Sequence, residues 1–361
     1  MKRVISLLMI ITIIFLQGVM LTSCKKAKTK YSDYYFSYFD TVTTISGYAE
    51  TKQEFDAVCD EIEAILSKYH ELCTIYNSYE GVNNLCTINS LTDGEHQTVT
   101  VEPELIEFLT YAKQMYTQTD GAVNIAMGSV LKIWHNYRES GINHPETATL
   151  PPMDELCAAA EHCDIDKLII DEQNNTVYLS DSKMSLDVGA IAKGYAVEKA
   201  AEYLEENGIT GYIINVGGNI RTVGMANDSE WKIGIENPDT SDEQEPHIEY
   251  LILSGESVVT SGSYQRYYEV DGVRYCHIID PKTLMSANKY LSVSVITDHS
   301  GFGDAMSTAL FLMDFEEGKQ LVEKTENLEA MWVLPDGTKL YSQGFEDYTF
   351  EYIPNLKKRY L

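Results

Sequence analysis

The stretch SLDVGAIAKGYAVEKA, Ser185–Ala200, constrains the fold more than any other part of the chain. An extended run through Asp187 meets a helical pattern that opens at Ala190 and continues to the glycine stop at Asn207-Gly208. Asp187, Gly189, Lys193 and Gly194 crowd that junction. The amides of a helix N-terminus favour an anion. Lys193, in the first turn, reaches a phosphate as a point charge, and the two glycines let a ligand or a second backbone come close. A strand-to-helix turn with ordinary packing glycines accounts for the same letters. Neither G-x-x-x-x-G-K-[ST] nor G-x-G-x-x-G is present, which excludes a Walker A loop and a dinucleotide fingerprint here.

Helical spacing predicts helices over 54–76, 103–117, 121–137, 153–162 and 303–313. Strands are predicted at 39–45, 167–171, 176–179, 231–236, 248–254, 257–261, 264–270, 273–279, 293–297, 329–334 and 338–342. Gly211–Gly224 reads as two strands split by Gly217-Gly218, and 76–89 and 138–152 read as loop. No internal repeat or linker interrupts the pattern after residue 33. The expected class is α+β: one domain over 34–361 with mixed, largely antiparallel sheets and packed helices.

The first residues carry an address. Lys2 and Arg3 precede an apolar run from Val4 to Phe15 and then small residues, the pattern of a secretory signal. Leu21-Thr22-Ser23-Cys24 resembles the bacterial lipobox, which implies a signal peptide over 1–23, lipidation of Cys24, a tether over 24–33 and a protein anchored outside the cytoplasmic membrane. An uncleaved anchor or a plain signal peptide shares the same charged start and apolar run. The lysines of 25–30 supply a second membrane signal beside the lipid. With 55 acidic against 27 basic residues, the chain has no general nucleic-acid role. The cysteines beyond Cys24 form no CxxC pair, which argues against zinc or a redox dithiol.

Two further clusters carry chemistry. In GDAMSTALFLM, Asp304 and Thr308 are four apart and share one helix face. An N-capping aspartate and a threonine bonded back to the helix explain that pair; so does an oxygen-rich site for a hard cation such as Mg2+. In YCHIIDPKT, His277 ends a predicted strand. There it serves as a structural histidine or, beside a phosphate ester, as a base near neutral pH.

The three clusters, in this order, resemble the ApbE family of flavin transferases, which move FMN from FAD to a hydroxyl of a partner protein. The matching pieces are DGAVNIAMGSVLKIW, SLDVGAIAKGYAVEKAAEYL, INVGGNIRTVG, VVTSGSYQRYYEVDGVRYCHIIDPKT and GDAMSTALFLM, spread over most of 35–345. The resemblance implies a single ApbE-like, T-fold related domain. It assigns FAD to Asp187, Lys193, Phe39, Ile279, the triplet Ala122-Val123-Asn124, and Tyr76 or Tyr79. The family usually has an aspartate where Asn124 stands, so Asn124 keeps the hydrogen-bonding oxygen and loses the charge. The implied Mg2+ ligands are the Ala190 carbonyl, Asp304, Thr308 and, as in some members, Ser307. His277 is the implied base, Asn215 and Gly217-Gly218 the neighbouring wall. The implied acceptor is a Ser or Thr of an FMN-accepting, membrane-associated electron-transfer protein, with AMP as leaving group. Hydrolysis of FAD to FMN and AMP, or flavin binding without catalysis in a lipoprotein, are the alternative functions. Asp336-Gly337-Thr338-Lys339 lacks most of the D-G-[ST]-G-A-T-like acceptor sequence, so the chain is not evidently its own substrate.

Overall fold

The computed structural model describes residues 27–90, 98–239 and 245–350; the predicted signal segment 1–23 and Cys24 lie outside them. In chain order the strands are β1 (Thr29–Tyr35), β2 (Thr43–Ala49), β3 (Val99–Thr100), β4 (Leu168–Asp171), β5 (Thr176–Leu179), β6 (Tyr212–Val216), β7 (Asn219–Val223) and β8 (Trp231–Glu236). They continue as β9 (His247–Leu253), β10 (Ser257–Gly262), β11 (Tyr267–Val270), β12 (Val273–Cys276), β13 (Ser292–Thr297), β14 (Leu328–Val333) and β15 (Lys339–Tyr341). The helices are α1 (Lys52–Cys73), α2 (Leu85–Asn89), α3 (Pro103–Gln118), α4 (Gly128–Asn143), α5 (Met153–Ala160), α6 (Ala192–Glu206), α7 (Ser300–Leu312) and α8 (Phe315–Lys324).

Alternating side chains set the layers. The main sheet has the order β1-β2-β6-β7-β10-β13-β14-β15, and each neighbouring pair is antiparallel. Val259, Val293 and Val295 pack with Met306 and Leu310 of α7 on one face. Val258, Ile296 and Met331 face the other way, onto Trp231, Ile233 and Leu251 of the β8–β9 ribbon. β13 is therefore buried along its whole length, which its β-branched sequence suits. Smaller sheets, β3-β5-β4 and β11-β12, flank this sandwich.

Local chemistry explains the elements read correctly. Thr51 caps α1 by accepting from the Glu54 amide at 3.1 Å, and Phe55, Cys59, Ile62, Leu66 and Tyr69 form its buried stripe. Gly217 and Gly218 have φ of 56° and 86°, the left-handed pair that a tight hairpin requires between β6 and β7. The α+β class and the antiparallel pairing are as expected. Cys59, Cys73, Cys86, Cys157, Cys163 and Cys276 are all free thiols, three of them buried.

Other boundaries differ. Thr29 to Asp33, read as tether, lie in β1 and pair with Ile45 to Ala49 of β2. The strand predicted from Phe39 starts only at Thr43, because Phe39 and Asp40 adopt left-handed φ of 54° and 51°. The helix predicted from Gly121 starts at Gly128: Asp120 and Gly121 also have positive φ, and a turn intervenes. α6 opens at Ala192 rather than Ala190, so Ala190 belongs to the turn before it. The strand predicted over 273–279 ends at Cys276, so His277 lies just past it. α7 starts at Ser300, capped by His299, whose Nδ1 accepts from the Phe302 amide at 3.2 Å. Asp304 therefore sits a turn inside the helix and is not its cap. α8, with acidic residues at its start, went unread.

Phe55 is fully buried, stacked on Tyr212 at 6.0 Å and tilted on Tyr31 of β1 at 5.6 Å. Phe55→Ala should lower unfolding free energy by about 3–5 kcal/mol in urea titrations.

Candidate active site

The site forms where α6, α7 and the end of β10 meet. Gly194 allows it: a Cβ there would lie 2.6 Å from Asp304 Cβ and 2.9 Å from Asn219 Nδ2, and closer still to the Ser300 carbonyl. With no side chain in the way, the Gly194 amide donates to Asp304 Oδ2 at 2.9 Å. The anion met by the α6 N-terminus is thus the protein's own carboxylate. Lys193 Nζ stands 3.7 Å from Asp304 Oδ1 and donates to the Gly189 carbonyl at 3.5 Å. Asp304 is 4% exposed. Burial pushes its carboxyl above the usual carboxylate range, while Lys193 and the Gly194 amide pull it back.

One turn on, the hydroxyls of Ser307 and Thr308 converge on Ser261 Oγ at 2.8 and 3.2 Å. Ser307 Oγ also donates to the Asp304 carbonyl at 3.1 Å. A buried carboxylate beside three hydroxyls is an all-oxygen set, suited to a hard divalent cation and not to zinc. The donors present therefore fit Mg2+. Ala190 sits next to Gly189, in the turn that leads into Lys193.

Asp187 is held in an extended segment rather than a sheet strand. Its amide donates to the Ile125 carbonyl at 2.8 Å, and its Oδ1 accepts from the Gly189 amide at 2.9 Å. Burial raises its carboxyl, opposed by the Gly189 amide, His135 and Arg138. Tyr76 borders this region: burial and then the Asp187 charge raise its hydroxyl, and Arg138 and Arg266 act in the opposite direction. Its exposed ring lies 5.7 Å from that of His135. Tyr79 is taken up in a bridge to Val82.

His277 follows β12, its amide donating to the Arg266 carbonyl at 3.0 Å. Burial, then the charges of Arg266, Lys193 and Arg138, bring its imidazole down to about 3, so the ring is neutral at physiological pH. Its Nδ1 is buried without a hydrogen-bond partner among the described residues. A neutral ring with an open nitrogen is the state a general base needs.

The remaining predicted residues each have local partners. Asn124 Oδ1 accepts from the Ala126 amide and Nδ2 donates to the Cys163 carbonyl, both at 2.9 Å, so its side chain pins the turn before α4. Val123 is buried and Ala122 partly so. Phe39 takes an edge-on contact with His70 at 5.6 Å, and its amide donates to His70 Nδ1. The Ile279 side chain is buried with Met127, Val130 and Trp134. Asn215 Oδ1 accepts from the Gly218 amide at 3.0 Å, which shapes the hairpin. Ser261, Arg138 and Arg266 were missed; the sequence offers no signal that the end of β10 faces α7.

A model of the ApbE family matches residues 39–332. The chain belongs to the ApbE family. A FAD:protein FMN transferase of Klebsiella pneumoniae is 32% identical over 279 residues, covering 77% of this chain and 82% of the relative. The ApbE protein of Thermotoga maritima superposes with a TM-score of 0.76 at 26% identity, covering 90% of this chain and all of that one. The flavin transferase ApbE of Vibrio cholerae gives 0.72 at 25% identity, covering 89% and 99%. The ApbE fold thus accounts for the sandwich and for the order in which the site segments come together.

Two outcomes follow from this geometry. Gly194→Ala should force α6 and α7 apart, lowering both thermal stability and divalent-cation affinity in calorimetric titration. The unfolded chain protonates His277 near pH 6.5 and the folded chain only near 3, so between those values the unfolded state binds more protons and stability falls as pH falls. His277→Gln should flatten that slope in pH-dependent denaturation, and NMR should find the His277 ring neutral at pH 5.

Proposed function

We propose that this ApbE-family chain is a FAD:protein FMN transferase that moves FMN from FAD to a Ser or Thr hydroxyl of a partner protein and releases AMP. One observation supports the reading: Lys193 Nζ stands 3.7 Å from the buried Asp304 carboxylate, one turn from the joined hydroxyls of Ser261, Ser307 and Thr308. A charge suited to phosphate thus lies beside an oxygen set suited to a hard cation.

Lys193 offers its charge to the FAD pyrophosphate, while Arg138 and Arg266 add positive potential nearby. Asp304, Thr308 and Ser307, with the Ala190 carbonyl, would hold Mg2+, which neutralises charge on phosphate oxygens when bound. His277 takes the proton of the attacking hydroxyl; its low proton affinity would rise beside the dianionic pyrophosphate, because an anion favours the imidazolium. Asp187 and Tyr76 border the flavin side. The phosphorus–oxygen bond to AMP breaks as the bond from the acceptor oxygen forms, leaving a phosphoester-linked FMN.

Incubation of the protein with FAD, Mg2+ and an FMN-binding-domain acceptor should add one FMN to the intact acceptor mass. FMN and AMP accumulating without adduct would instead mean hydrolysis, and tight FAD binding without turnover would mean a flavin carrier. His277→Ala should lose transfer at least 100-fold with FAD affinity largely kept. The Leu21–Cys24 sequence supports export and lipid anchoring, hence an acceptor at the membrane surface. Mass spectrometry of the protein from the membrane fraction should find a lipid adduct on Cys24 that Cys24→Ser removes; an unmodified Cys24 would exclude the lipid.

A further inference from the structure

The elements packed around Gly194 carry polar side chains at matching structural periods. Glu198 comes four residues after Gly194 on α6, Arg221 two after Asn219 on β7, and Asp304 four after Ser300 on α7. Those spacings put each pair on one face of its element. On β7 the intervening Ile220 faces the β8–β9 ribbon, so Asn219 and Arg221 point at the helices. Asn219 and Ser300 are fully buried, and Glu198 and Arg221 are nearly so.

The groups join end to end. Ser300 Oγ donates to Asn219 Oδ1. With its oxygen occupied, the Asn219 amide leaves Nδ2 over Gly194, beside the Asp304 side chain, where it helps hold the carboxyl down. This Nδ2 closes no hydrogen bond of normal geometry among the described residues. On the other side the Ser300 amide donates to Glu198 Oε2, and Arg221 Nε pairs with that oxygen at 3.4 Å. Arg221 continues to Glu205 at 3.0 Å and donates to the Thr222 carbonyl at 2.9 Å. A buried amide with an unfilled donor weakens a core. Its placement is explained by what it does to Asp304.

We propose that Asn219 is a positioning residue for Asp304: held by Ser300, its amide fixes the rotation of the carboxylate, keeping Oδ2 on the Gly194 amide and Oδ1, on the Lys193 side, free for a divalent cation. Glu198 and Arg221 anchor Ser300 in turn. The inference rests on Asp304 being a cation ligand. Groups that orient a ligand in this way are commonly worth 10- to 100-fold in metal affinity.

Mn2+ titration of the full chain, followed by electron paramagnetic resonance, tests it without reference to turnover. Asn219→Leu, of the same branching, and Ser300→Ala should each weaken Mn2+ binding by about 10- to 100-fold with circular dichroism unchanged. Ser300→Thr, which keeps a hydroxyl, should restore affinity. Asp304→Ala should remove the site. Loss in Asp304→Ala with wild-type affinity in both Asn219→Leu and Ser300→Ala would overturn the positioning role and leave Asp304 as a ligand. Wild-type affinity in Asp304→Ala would overturn that ligand assignment and the inference with it. If Asn219→Leu does not fold, Ser300→Ala decides, and wild-type Mn2+ affinity there overturns the proposal.

Discussion

The hydrogen bond from the Gly194 amide to Asp304 is the interaction on which the remaining site geometry depends. A carboxylate sealed between two helices is costly unless it is paired and hydrogen-bonded. Here a helix N-terminal amide and Lys193 offset it only in part, since its carboxyl still lies above the usual range. The close approach that makes this bond also brings Lys193 of α6 alongside Asp304 of α7. A single methyl group at Gly194 would occupy the space in which the two helices touch.

Opposed electrostatic shifts then organise the chemistry. Burial raises both Asp187 and Asp304, whereas burial plus Arg266, Lys193 and Arg138 lowers His277. Asp187 and Asp304 thus bind protons more readily than free carboxylates, and His277 less readily than a free imidazole. A cation beside Asp304 would lower its carboxyl, and an anion beside His277 would raise its imidazole. These opposed shifts lie within the span of the ApbE-family match, residues 39–332.

Much of the fold was legible because local signals agreed with tertiary packing. The α1 stripe, the β6–β7 hairpin and the run of β13 depend on periodicity and on two glycines, all visible in the letters. Some boundaries were misread. Thr29 to Asp33 carry a polar pattern and become a strand only because β2 offers its edge. Phe39, Asp40 and Asp120 take left-handed backbone without being glycine. His299 caps α7 one turn before the aspartate that a capping argument would choose. For β1 a distant partner outweighs a local preference.

The sequence by itself determined the family, the chemical character of Asp187, Lys193, His277, Asp304 and Thr308, and the need for glycine where α6 begins. Residue type, order and spacing carry that much, because reactivity belongs to side chains and family membership to their order. Only the tertiary structure decided which groups meet: Gly194 with Asp304, Ser261 with Ser307 and Thr308, Asn219 with Ser300. These contacts span 46 to 110 residues of chain in the hydroxyl and carboxylate pairs. No periodicity reaches that far. Packing alone, through sheet order and the missing side chain at one glycine, brings the groups within hydrogen-bonding distance.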